Sequence, residues 1–346
     1  MINGSQNFKK YTAIDEGKGL DERDIKPLFI DAFIGKREQV NEKLSKVAIM
    51  DTTPDRLFER YDWTLSSPLP TAFTGETKYH QLQFSGIQVS VRQYKDGIFW
   101  TKEDELKYLG SRNIQQTAQR HGEHYAVIPW LMAEKALQDT TDTNYLPTAL
   151  AGYDGDTLVN ASSDTRFGVT YGNYYAGTGV TAEDTVEDDI IGGICRFPQM
   201  LDEITERPFW EGEVDNGKYY LLYGPALSAI IQKVFKRNFV LINGGTGGTT
   251  GTAGTRSNII AMGGFQIELM FVGGMSGNSY YIIKDDTIRK PLILLHGTYD
   301  IPKMFMYGIG QGYKEMDDTL SKAVSFYDAW GVGIHTPQSI VKIYNA

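Results

Sequence analysis

Between Asn278 and Leu295 the chain reads NSYYIIKDDTIRKPLILL, and this stretch constrains the fold more than any other. Tyr280 to Ile283 are aromatic or β-branched, Lys284-Asp285-Asp286 interrupt them with charge, and Pro291 opens onto the apolar run Leu292–Leu295. Side chains of this kind fit a pleated, half-buried surface, and a polar break between them returns the chain. The stretch therefore predicts strand, turn, strand. It carries no catalytic constellation, so a protein built on such segments is expected to work through its surfaces.

Helical spacing elsewhere makes the expected class α+β. Ile114, Ala118, His121, Tyr125, Ile128 and Met132 form one stripe of a helix over 113–139, with Gln115, Gln119, Glu123 and Glu134 off it. At about 1.5 Å per residue it would run roughly 40 Å, with a bend expected at Pro129 and Gly110 closing the turn before it. Lys26 to Met50 places Leu28, Ile30, Phe33, Ile34, Val40, Leu44 and Val47 near helical spacing, with Gly35 as a break between short helices. Residues 1–27 lack apolar periodicity and read as an extended arm or a disordered tail. A later helix follows Thr181 or Thr185 as a cap, on a stripe of Val186, Ile190, Ile194, Phe197 and Leu201. Tyr219–Tyr223 reads as a buried strand, and Gly224-Pro225 opens a helix striped with Leu227, Ile230, Ile231 and Val234. Short strands over 265–272, 292–295 and 331–344 complete the pattern.

One segment looks unable to bury itself. Ile87, Val89 and Val91 alternate with Gln88, Ser90 and Arg92, and Asp96-Gly97 gives a hairpin-turn signal before Ile98-Phe99-Trp100. An excursion of this length with one apolar face is expected to find its cover on another molecule, over Ile87, Val89 and Val91 or over the opposite face of that strand; the alternative is an ordinary edge hairpin. The run GGTGGTTGTAGT, Gly244 to Thr255, is too rich in Gly and Thr to pack and is expected to be an exposed loop.

The search for chemistry yields no catalytic, cofactor-binding or metal-binding residues. The Gly/Thr run has no Lys where a phosphate-binding loop needs one, only Arg256 nearby, and Gly177-x-Gly179 lacks the strand that leads into a dinucleotide fingerprint. His121 and His124 could share a helix face but have no third ligand, and His80, His296 and His335 are scattered. Cys195, the one cysteine, sits in an apolar helical stripe where a thiol is inert, and it excludes an internal disulfide. Asp188-Asp189, Asp285-Asp286 and Asp317-Asp318 read as solvated surface charge, since adjacent side chains point apart. A net charge of −9 argues against wrapping a phosphate backbone and suits a wall that does not stick to nucleic acid. The polar N-terminus has no secretory core and no run is long enough to cross a membrane, so a cytoplasmic, reduced protein is expected. The 37 Gly and 21 Tyr fit irregular loops and contact surfaces, where Tyr offers rigid amphipathic area.

Several segments, taken in order, resemble the Mu-like major head subunits of tailed phages. Tyr61-Asp62-Trp63, then Pro68, Pro70 and Gly75-Glu76, is similar to the start of that family's mature region, with Thr64 and Thr77 where the family has Leu and Arg. Gly152 to Gly168 is similar to its Tyr-Asp-Gly segment, with Thr157-Leu158 for a Phe pair and Asp164-Thr165 for Asp-His. Tyr219–Leu227, Thr255–Leu269, Asn278–Leu295 and the closing GVGIHTPQSIVKIYN follow in the same order. The resemblance covers about residues 50 to 346.

It implies the tailed-phage capsid fold of the Hong Kong 97 type. On that mapping residues 1–50 are an N-terminal arm and 66–100 the extended loop. Residues 51–65 and 101–144 are the peripheral domain with spine helix 113–139. Residues 145–275 are the axial domain, and 276–346 return as strands of the peripheral domain. The implied function is a structural, non-enzymatic virion protein, assembling as hexamers and pentamers into an icosahedral head around double-stranded DNA. Its implied partners are itself, portal and scaffolding proteins and decoration proteins, with no cofactor and no membrane. It would be located in the virion capsid, assembled in the host cytoplasm. Some relatives join a Lys of the extended loop to an Asn on a neighbour; Lys78, Lys95 and Asn345 are available here, but nothing in their context selects them and they are expected to be structural surface residues. The competing readings are an encapsulin-like compartment enclosing a cargo enzyme, and an α+β enzyme or sugar-binding module.

Overall fold

Leu28, Phe29, Phe33, Val40, Leu44 and Val47 recur at helical spacing and are all buried along one uninterrupted helix, α1 (Glu22–Val47). Gly35 does not break it. The computed structural model describes residues 22–53, 58–64, 84–106, 110–153, 155–159, 165–166, 169–170, 172–202, 207–210, 217–236, 239–242, 254–257, 265–297, 301–307 and 321–345. Strands β1 (Ala48–Thr52), β2 (Phe58–Thr64), β3 (Phe84–Ser90) and β4 (Arg92–Thr101) come next, then α2 (Lys102–Leu106) and α3 (Gly110–Leu137). Two short pieces, β5 (Thr165–Arg166) and β6 (Val169–Thr170), precede β7 (Tyr174–Ala176), α4 (Glu183–Ile194), β8 (Lys218–Tyr223) and α5 (Ser228–Lys236). The remaining strands are β9 (Phe239–Ile242), β10 (Gly254–Ser257), β11 (Gln266–Phe271), β12 (Tyr280–Lys284), β13 (Leu292–His296), β14 (Lys303–Tyr307), β15 (Ser321–Ile334) and β16 (Ile340–Tyr344).

The chain divides into two compact units. The first takes Met1–Gln39, Gln93–Val127 and Asp300–Asp328. Its sheet places β14 antiparallel to β15, with Phe305 opposite Ser325, and β4 also pairs with β15. One face of that sheet is closed by helices. Phe326 stacks on Phe29 of α1 at 4.2 Å and on His121 of α3 at 5.5 Å, while Tyr125 donates its hydroxyl to the Phe326 carbonyl at 2.9 Å. Burial pulls Arg37 of α1 down to about 10, with Asp328 opposing the shift. Residues 22–39 thus contribute to a core, and the same holds for the end of α1 below. Residues 22–50, assigned to the N-terminal arm, thus carry a helix and a strand that pack into these units; residues 1–21 lie outside the described residues.

The second unit takes Val40–Arg92, Ile128–Tyr299 and Ala329–Ala346. Its larger sheet runs β11-β8-β12-β16-β7. Alternation along β8 sends Tyr219, Leu221 and Tyr223 to one face, where they meet Tyr280 and Ile282 of β12 and Val341 and Ile343 of β16. Val186, Ile190 and Ile194 of α4 and Ile231 and Val234 of α5 cover that face. Each such buried side chain contributes about 1.5–3 kcal/mol. On the opposite face Lys46 of α1 pairs with Glu268 and lies 5.6 Å over the Tyr220 ring. The end of α3 is tied nearby: Gln138 donates to the Gly274 carbonyl at 3.3 Å, and Glu134, 6% exposed, lies against Gly274. Glu134 therefore belongs to the buried side of α3, contrary to its place off the apolar stripe, and burial raises its pKa.

The closing strands divide. β13 lies between β1, in parallel register, and the Trp330–Ile334 end of β15, whereas β12 and β16 join the larger sheet. Residues 276–346 consequently do not return to one sheet. Two other expectations at element ends are corrected. Gly110 is the first residue of α3 and not the end of a preceding turn, and α4 is capped by the backbone of Ala182 with no side-chain bond from Thr181 or Thr185.

Candidate assembly surfaces

Asp96-Gly97 is not a hairpin turn. It lies inside β4, and the partner of β3 is β2, antiparallel, with Tyr61 opposite Ile87 and Glu59 opposite Val89. The residues joining β2 to β3, which include Lys78 and His80, lie outside the described residues. The turn signal lost because β4 finds a long-range partner in β15, and a paired strand satisfies its backbone better than a local turn.

The β2–β3 ribbon does bury its apolar face in its own unit. Ile87 is 7% and Val89 1% exposed, packed with Ile293 and Leu295, with Ile49, Tyr61, Val91 and Tyr153 around them. Three glycines make the seat. A methyl group on Gly331 would stand 2.5 Å from the Ser90 carbonyl, one on Gly333 2.6 Å from Val89, and one on Gly297 2.6 Å from Val91. The expected dependence of Ile87, Val89 and Val91 on a neighbouring molecule is therefore corrected. What the ribbon turns outward is the opposite face: Phe58 is 54% exposed, and Arg60, Gln88 and Ser90 are exposed beside it. Midway along β2 Tyr61 donates to Asp51 at 2.7 Å, and burial followed by that bond pushes its pKa far up.

In the first unit the outer face of the β4–β15–β14 sheet has an aromatic surface open to solvent. A methyl on Gly97 would sit 3.7 Å from the Ser325 side chain, so Gly97 and Ser325 share the outer side. Phe305 faces Ser325 across the ladder and is 48% exposed; Phe99, two residues from Gly97 on the same side of β4, is 61% exposed. Lys95 shares that side and is exposed. At the end of β4, Trp100 donates its indole N–H to Glu105 at 2.8 Å, and Lys322 donates to the same carboxylate at 2.9 Å. Burial of Glu105 acts to raise its pKa, but these two donors hold it below the usual carboxylate range.

The residues scanned for chemistry do not converge. His121 turns inward onto Phe326, 3.5 Å from Asp96, and burial lowers its pKa; His124 is exposed, its ring 6.4 Å away. His296 stacks on Trp330 at 3.9 Å, and His335 lies 2.8 Å from the Thr336 hydroxyl. Among the described residues no group of three His, Cys, Asp or Glu side chains could hold a metal ion, and no helix is long and apolar enough to cross a membrane.

Three sequence expectations fail on burial. Cys195 is exposed at the end of α4, because the helix stops at Ile194 and the apolar stripe no longer governs the next residue. Asp189 is 1% exposed, accepting the Thr178 backbone N–H at 2.9 Å and its hydroxyl at 2.9 Å; burial still raises its pKa. Asn345 is 5% exposed and lies flat against Gly177, so it is not a surface residue. Asp285 and Asp286 are half-buried and structural, Asp317-Asp318 lies outside the described residues, and the Gly/Thr run is described only at Gly254-Thr255, which belong to β10 opposite β9.

Neither a protein-family model nor a curated protein matches the chain. Solved structures do. The capsid protein of an empty GTA particle aligns with a TM-score of 0.50 at 9% identity, over 87% of this chain and 89% of that one. The capsid of Ralstonia phage GP4 gives 0.49 at 12%, over 87% and 88%, and that of Mycobacterium phage Patience 0.48 at 14%, over 96% and 90%. The shared architecture is the Hong Kong 97-type α+β fold of tailed-phage capsid proteins, as the resemblance implied. The likeness sets the fold and does not narrow it to the Mu-like group.

Proposed function

We propose that this chain is a shell-building protein that associates with copies of itself, as hexamers and pentamers, into the icosahedral head of a tailed phage around double-stranded DNA. The observation that carries the reading is a capsid fold shared over nearly the full length of both chains. The chemistry of the surface agrees: the first unit leaves two phenylalanines open on one sheet face, and polar groups such as Asp189 and Glu105 are spent on internal structure. A net charge of −9 suits a wall whose contents are polyanionic. In this reading α3 is the spine helix, residues 66–100 are the extended loop, and the sheet carrying α4 and α5 is the axial domain. Portal, scaffolding and decoration proteins are the further partners, and the host cytoplasm is the place of assembly.

The test is electron microscopy and sedimentation of the full chain, expressed alone and with its scaffold or portal partners. Closed shells or ring-shaped capsomers are expected. Monomers only, at high concentration and across several salt conditions, would overturn the reading. Shells that enclose an enzyme and exclude DNA would replace the phage head by a compartment.

A further inference from the structure

One histidine of the first unit sits where a positive charge would be poorly met. The His121 ring lies inside the joint between α3 and its sheet, stacked on Phe326 of β15 at 5.5 Å, and Phe326 in turn stacks on Phe29 of α1 at 4.2 Å. The His121 side chain is 18% exposed, and its Nδ1 stands 3.5 Å from a carboxylate oxygen of Asp96 on β4. One turn further on, Tyr125 ties α3 to both strands: it donates to the Phe326 carbonyl at 2.9 Å and accepts the Asp96 backbone N–H. The helix has no room to shift toward α1, because a methyl group on Gly122 would already stand 2.4 Å from the Phe29 carbonyl. A charge on His121 must therefore be met in place, or the joint must give.

We propose that His121 is the trigger of an acid-sensitive joint between α3 and the β4–β15 sheet. Neutral, its imidazole seats as a flat ring on Phe326; protonated, it is drawn out toward Asp96 and water, and the joint loosens. The groups that face the ring decide this direction. Asp96 favours the imidazolium, but its side chain is 66% exposed, so water screens the attraction. His124, on the same helix with its ring 6.4 Å away, charges in the same pH range and repels it. From β15 and α1 come the rings of Phe326 and Phe29, while Asp328 and Arg37 lie about Tyr125 and Ala126, a turn further along α3. A phenyl face attracts a cation weakly beside what burial takes away. Burial thus outweighs Asp96 and lowers the His121 pKa from its ordinary 6.5. A group with a lower pKa folded than unfolded binds fewer protons in the fold. The joint is at full strength above the ordinary value of 6.5 and weakens as pH falls through the lowered one. The device lies within one compact unit and does not depend on the shell reading.

The test is amide hydrogen exchange of the full chain at about pH 7.5 and about pH 5, a range in which histidine titrates, corrected for intrinsic rates and resolved by peptide. Protection of β4 and of the Ser321–Asp328 part of β15 should fall about tenfold or more in acid, whereas β8 and β12 of the second unit keep theirs. His121→Phe fills the same place on Phe326 without a titrating group and should abolish the acid response. His124→Gln, at an exposed position, should keep most of it. If His121→Phe does not fold by circular dichroism, His121→Asn serves in its place with the same expected loss of response. Unchanged protection of β4 and β15 in the wild-type chain, or an acid response that survives the His121 substitution, would overturn the joint. So would a response lost in His124→Gln, or a loss of protection spread equally over both units.

Discussion

Gly331 and Gly333 decide where β3 lies, and nothing near them in sequence announces it. Their missing side chains are filled by Val89 and Ile87, and the Ser90 carbonyl stands where a Gly331 methyl would be. Gly331→Ala should therefore destabilise the chain by about 1–3 kcal/mol through overpacking against backbone, measured as a lower urea midpoint with an unchanged slope. A neutral result would mean the ribbon is not seated on β15. Asp139, two residues past the end of α3, has φ of 52° and carries a side chain where backbone sterics favour glycine. Asp139→Gly should raise stability by about 0.5–1 kcal/mol in thermal unfolding; a drop would show that the aspartate carries an interaction worth more than its backbone strain. Burial of single polar residues was the least legible feature of the sequence. Asp189 and Glu134 look like ordinary helical surface charges until Thr178 and Gly274, which the fold brings to them, are in view.

At the level of elements, periodicity was reliable where a segment packs through its own side chains. The stripe of α3 was legible from Ile114 to Met132, and β8, β12 and β13 were legible from their apolar runs. It failed where a distant partner overrides a local signal: Gly35 inside α1, and Asp96-Gly97 inside β4. That second correction changes what a protease should find. Arg92 and Lys95 lie on a strand paired with β15, so trypsin should cut there slowly in the free subunit as well as in shells. Fast cutting at either residue in the free subunit would restore the unseated hairpin. The link between α1 and the larger sheet can be read by pH. Hydrogen bonding from Lys46, against the opposing effect of burial and with Lys218 adding to it, holds Glu268 below its ordinary pKa. A depressed carboxylate stabilises the fold above its unfolded pKa, and that contribution is lost as pH falls through the lowered folded value. Glu268→Gln should thus cost stability at neutral pH, under roughly 1 kcal/mol for so exposed a pair, and the difference from wild type should vanish in acid. A difference that persists or grows in acid would contradict the pairing.

For the whole molecule the governing quantity is charge. Each chain carries −9, so copies brought together repel at long range, while the contacts proposed to hold them are largely apolar and act only at short range. Salt changes the first and barely touches the second. The screening length falls from roughly 30 Å at 0.01 M to about 8 Å at 0.15 M, which is shorter than a subunit. Assembly of the full chain, followed by light scattering at fixed concentration, should therefore be slow at low ionic strength and accelerate toward 0.15 M. Slower assembly with added salt would mean that ion pairs between copies dominate. The apolar sheet face would then be a minor feature of the shell, with its specificity carried by charged side chains elsewhere on the surface.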